Sequence, residues 1–172
     1  MSEPTDTITI RVPKSLKTSL EELSKKNQVN LNLQINQILH KTLEWNEYVT
    51  KMGWLQFNPS TVREIFKLLD QNDIDSLVKS TKMDVVNAIK FIYGDASLEH
   101  MVEFMDSWLV STNTPFRHTE NSYSHKFMVN HNLGDNWSIF ATKITREFVS
   151  ELGFTVSDLH SEDDHYSFTI VK

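Results

Sequence analysis

No cysteine occurs in the 172-residue chain, which excludes disulfides, thiolate metal sites and a cysteine nucleophile. Glycine and proline are scarce at four each, which excludes a collagen-like chain and argues against wholesale disorder. No apolar run approaches the roughly 18 residues of a membrane span, and no signal-peptide pattern opens the sequence. The expectation is a cytosolic protein with no membrane partner. A phosphate loop, a dinucleotide fingerprint, a nucleophile elbow and a zincin helix are also missing, so an enzyme is not expected. What is present is 39% hydrophobic and 23% charged, enough for one large domain or two small ones.

The net charge of −6 argues against a nucleic-acid partner until it is divided along the chain. Residues 1–51 carry seven Lys/Arg and six Asp/Glu, a net of +1. Residues 52–115 carry five against nine, and residues 116–172 five against eight. The acidity therefore belongs to the last two thirds. The first third can approach a phosphate backbone if its cations share a face. The domain reading is 1–51 and 52–172, with Asn58-Pro59-Ser60 as a further break.

Thr7-Ile8-Thr9-Ile10-Arg11-Val12 alternates polar and apolar with many β-branched residues, the pattern of a strand. Ile8, Ile10 and Val12 share one face; Thr7, Thr9 and Arg11 share the other. After Pro13 the period lengthens. Leu16, Leu20 and Leu23 predict a first helix. Asn30 is placed to cap a second, with Leu31, Ile35, Ile38, Leu39, Thr42 and Leu43 as its buried stripe. A lone six-residue strand has no partner here. The simplest partner is the same strand of a second chain, paired antiparallel about a two-fold axis.

Thr7 to Pro13, the leucines at 16, 20 and 23, and Val29 to Leu39 together resemble the ribbon-helix-helix DNA-binding domain of the Arc/MetJ/CopG type, over about residues 5–48. The turn reads Asn27-Gln28 where that family often has glycine, and asparagine tolerates the left-handed conformation. The resemblance implies an intertwined homodimer whose paired strands enter the major groove of double-stranded DNA. Thr7, Thr9 and Arg11 would then face base edges. Lys14, Lys17 and the backbone around Asn30, Leu31 and Asn32 would meet phosphates. With Arg11 the only long cation on the ribbon, base readout is modest. Specificity would come from several dimers or from DNA shape.

Residues 53–110 read as helical. Thr61 to Glu64 matches a capping box, Asn72 or Asp73 starts a short helix, and Thr81 to Asp84 starts another that ends at Gly94. Ser97 caps the last. Beyond it, Tyr123–His131 alternates as a strand, Trp137 to Leu152 forms a helix stripe, and two strands follow around an acidic turn at 161–164. That order, β-α-β-β, predicts a small antiparallel sheet with a packed helix, so the chain as a whole is α+β. His131 to Ser138 resembles a segment of archaeal regulator-like proteins of uncharacterised function and carries no residue roles. Its glycine turn is of a kind that can hold an anion.

Five histidines fall in 118–165. His125, His131, His160 and His165 are the candidate ligands for a divalent metal, and no cofactor is otherwise expected. The function these features point to is a dimeric, or tetrameric, transcriptional regulator. Its acidic part would sense a small-molecule or metal effector or mediate oligomerisation. The alternative is an antitoxin-like or scaffold protein that dimerises through the same ribbon and captures a protein partner.

Overall fold

The structure is a computed structural model that describes residues 5–171, with the side chain of Glu44 left aside. The chain divides into two compact units, the first ending at Leu43 and the second starting at Glu44. The boundary falls ahead of residue 51 because Trp45 is buried against Trp54 and Phe104 in the second unit's core.

In the first unit residues 5–13 take no regular secondary structure. The strand expected at 7–12 is not formed, and no other strand lies among the described residues of the first unit. Helix α1 (Lys14–Lys26) follows Pro13, and helix α2 (Leu31–Lys41) follows the turn at 27–30. Asn30 caps α2 as expected: its side chain accepts from Leu33 N–H at 2.8 Å. The left-handed residue of the turn is Gln28, with φ 56. Asn27 Nδ2 donates to Gln34 Oε1 at 2.7 Å and ties the two helices together.

A π-helical turn at Thr42–Asn46 spans the unit boundary and runs into α3 (Glu47–Lys51). Helix α4 (Pro59–Leu68) starts one turn earlier than the capping box at Thr61 suggested. Pro59 is preset for the first helical position, and Asn58 accepts from Ser60 N–H at 2.9 Å. The two helices expected between 72 and 93 are one, α5 (Gln71–Tyr93). Nothing between them breaks a helix, and Thr81 turns its hydroxyl back to Leu77 C=O instead of capping. The working capping box is Asp70 with Asp73, and Gly94 ends the helix at φ 86. Helix α6 (Leu98–Ser111) is capped by Ser97 as expected.

The sheet has four antiparallel strands, one more than the sequence pattern suggested. They are β1 (Phe116–Asn121), β2 (Ser124–Asn130), β3 (Thr155–Glu162) and β4 (His165–Val171), in the order β1-β2-β4-β3. Helix α7 (Asp135–Glu151) joins β2 to β3, so the unit reads β-β-α-β-β. The strand missed is β1, whose apolar content is a single phenylalanine. Register puts Phe127 opposite Phe168 and Val129 opposite Tyr166. These four are buried in the core with Ile170, Phe148, Val149 and the inner faces of α5 and α6. The opposite sheet face, with Arg117, Lys126, Met128 and Ser167, carries no such core residues.

Candidate functional site

The two units differ in what they leave on the surface. In the first, Ile8 is 81% and Ile10 62% exposed, and Leu16, Leu23, Leu33, Ile38, Leu39 and Leu43 are exposed too. Among the described residues, those it buries are polar, Ser24 at 6% and Gln34 at 5%. Of the stripe expected to be buried, Ile38, Leu39, Thr42 and Leu43 are exposed and Leu31 and Ile35 only half-buried in the single chain, because two short helices cannot enclose a core. Thr7, Thr9, Arg11, Lys14, Asn30 and Asn32 are exposed. Leu31 is half-buried, and the exposed Lys17 pairs with Glu21 at 3.1 Å.

In the second unit two polar networks surround histidines. The first closes the junction of β2 and α7. Leu133 N–H donates to His131 Nδ1 at 3.0 Å, so the ring proton lies on Nε2, which is 2.8 Å from Ser138 Oγ. The Ser138 hydroxyl in turn donates to Asp163 C=O. Each bond in this chain runs one way and needs a neutral imidazole. Burial holds the His131 pKa down at about 4, against the pull of Asp164. The α7 N-terminus, read as able to hold an anion, already has one from the chain itself. Asp164 Oδ1 accepts from Gly134 N–H at 2.6 Å, and its other oxygen pairs with Arg63 of α4 at 3.4 Å.

The second network lies in a cleft of about 800 Å³ between α6 and the β1-β2 hairpin. Alternation puts His118, Glu120 and His125 on the inner sheet face, and Asp106 reaches them from α6. His118 Nδ1 is 2.9 Å from Asp106 Oδ2, and His118 Nε2 is 3.2 Å from His125 Nδ1. The carboxylate assigns the His118 proton to Nδ1. Nε2 then carries the lone pair and accepts from His125. Phe127 stacks on the His118 ring at 4.2 Å and 10°, which fixes its plane. Burial raises the Asp106 pKa above its ordinary value against the opposing pull of His118, and Asp106 Oδ1 is buried with no hydrogen-bond partner among the described residues. Glu99, Glu103 and Glu120 also line the cleft, and among the described residues no lysine or arginine does.

A metal site within the chain would need His125 or His131 to meet His160 or His165 of the hairpin strands, and these pairs do not come together. His125 and His131 are buried on the inner side of the sheet, whereas His160 and His165 line a groove of about 430 Å³ on the open side. Strand parity separates the pairs by the sheet itself. Among the described residues no group of three or more His, Asp or Glu side chains stands arranged to hold a metal ion. The histidine that does meet His125 is His118. Its register was unread because β1 gave no legible strand pattern. Asp106 carried no sequence signal beyond a place on α6.

No helix among the described residues is long and apolar enough to cross a membrane. The chain matches no family model, and no curated protein matches it.

Proposed function

We propose that the chain is a dimeric, DNA-binding transcriptional regulator. Its residues 7–12 pair with those of a second chain and present Thr7, Thr9 and Arg11 to the major groove. Lys14, Lys17 and the start of α2 at Asn30, Leu31 and Asn32 meet the phosphates. The second unit is its effector-sensing or oligomerising part. The observation that carries this reading is the inverted burial of the first unit, which exposes Ile8, Ile10, Leu39 and Leu43 while burying Ser24 and Gln34. An amphipathic segment of that kind needs a partner surface, and a second copy supplies an identical apolar face and the missing strand. The local charge of +1 predicts weak, salt-sensitive non-specific binding, doubled in charge by the dimer.

The test combines two measurements on the full chain. Sedimentation gives the oligomeric state, and binding to a library of genomic duplex fragments gives specificity. A dimer that selects particular fragments, and loses the selection with Arg11→Ala or Thr9→Ala, is the expected result. A monomer, or equal binding by wild type and variants, overturns it. A dimer without DNA affinity that co-purifies with one protein in stoichiometric amount favours the antitoxin-like or scaffold reading.

A further inference from the structure

Three features of the His118–His125 pair go beyond a structural hydrogen bond. The first is spacing. Two imidazole nitrogens bound to one tetrahedral metal at about 2.05 Å lie about 3.3 Å apart. His118 Nε2 and His125 Nδ1 are 3.2 Å apart. The second is orientation. Asp106 takes the far ring proton of His118, the arrangement that fixes the tautomer of a metal-binding histidine and raises its basicity. Phe127 holds the same ring in plane. The third is surroundings. The pair opens into a cleft lined by carboxylates and, among the described residues, by no cationic side chain, and the buried Asp106 Oδ1 has no donor among them.

We propose that this pair binds one divalent transition-metal ion of the zinc class, through His118 Nε2 and His125 Nδ1, with Glu120 as third ligand and Asp106 as the positioning residue. Two ligands already stand at the required spacing and the third has to move. Glu120 Oε2 is 3.7 Å from His125 Nδ1 and its side chain is 73% exposed, so a small rotation brings it in. On binding, His125 carries its proton on Nε2 instead of Nδ1, and water completes the four-coordinate shell. Borderline metals that favour imidazole nitrogen suit the site better than calcium or magnesium, which favour all-oxygen shells. The site stands apart from the DNA-binding reading, since it is read on the protein alone.

The experiment uses the full chain, purified without a histidine tag and stripped with chelator, titrated with Zn²⁺ and with Co²⁺. One Zn²⁺ per chain is expected, with the visible absorption bands of tetrahedral Co²⁺. Ring ¹⁵N resonances of His118 and His125 should shift while those of His160 and His165 stay. Asp106→Asn should weaken Zn²⁺ binding by about 10- to 100-fold. His118→Gln and His125→Gln should each weaken it further, whereas a His160→Ala, His165→Ala double variant should bind as wild type. The ring resonances are read on wild-type protein, so a variant that fails to fold leaves the proposal open to refutation. Absence of saturable Zn²⁺ binding, or binding that shifts only His160 and His165, overturns it and leaves a structural hydrogen-bond chain.

Discussion

The two units solve opposite problems with similar residues. The second unit hides Phe127, Phe168 and Ile170 completely and closes its core with α5, α6 and α7. The first has leucines and isoleucines at helical spacing too, yet leaves most of them exposed and fully buries none among the described residues, while Ser24 and Gln34 are buried. The difference is size. A unit of some 40 residues cannot surround its apolar side chains with its own backbone, whereas one of about 130 can. Amphipathic pattern alone therefore does not say whether a stripe faces the chain's own interior or another molecule.

The largest expected effect comes from opening the closed core. Phe168→Ala should cost about 3–5 kcal/mol and lower the denaturant midpoint of the second unit sharply. An Ile10→Asp change in the first unit should leave that transition where it is and, if the proposed dimer forms, convert it to monomer in sedimentation. If Ile10→Asp shifts the second unit's transition as much as Phe168→Ala does, the contrast between the units fails.

Acid should act next, on the second unit. The folded His131 pKa of about 4 lies below its ordinary 6.5 because burial penalises the charged ring. The unfolded chain then binds more protons between those values. The contribution is fully present above pH 6.5 and is lost as pH falls towards 4, by up to about 3 kcal/mol. His131→Asn should flatten that part of the stability profile measured by denaturation from pH 7 to 4. An unchanged slope would mean the imidazole is not held neutral by the fold.

Smaller effects sharpen the comparison at the helix ends. Asp70→Ala removes the acceptor for Asn72 and Asp73 N–H and should cost about 1 kcal/mol. Lys17→Ala breaks an exposed pair with Glu21 and should change stability by less than about 0.5 kcal/mol. If the proposed DNA binding holds, it should reduce the salt dependence of that binding measurably. A stability loss at Lys17 as large as that at Asp70 would mean the first unit has a tighter interior than its exposed leucines indicate.

Much of the local structure was legible. Asn30, Gly94 and Ser97 act where their chemistry allows, because capping and left-handed turns depend on a few neighbouring residues. Strand β2 was legible from its alternation, since its inner positions carry Phe127 and Val129 against polar outer neighbours. Strand β1 was not, because His118 and Glu120 occupy its inner positions and break the apolar signal. The break expected inside α5 was false because Ser80 and Thr81 bond back to the preceding turn as readily as they cap. The site suffered most. His125 was named, but His118 and Asp106 became its neighbours only through a hairpin and a helix that pack across its face.

By itself the sequence determined the helix caps, the order of most elements, the α+β class and the separation of a slightly basic beginning from an acidic remainder. All of these follow from composition or from interactions a few residues long. Tertiary structure alone decided which face of each amphipathic segment is covered, which histidines share a side of the sheet, and that Asp164 fills the α7 N-terminus from 30 residues away. Those outcomes depend on strand parity and on contacts between distant segments, and a local pattern carries neither.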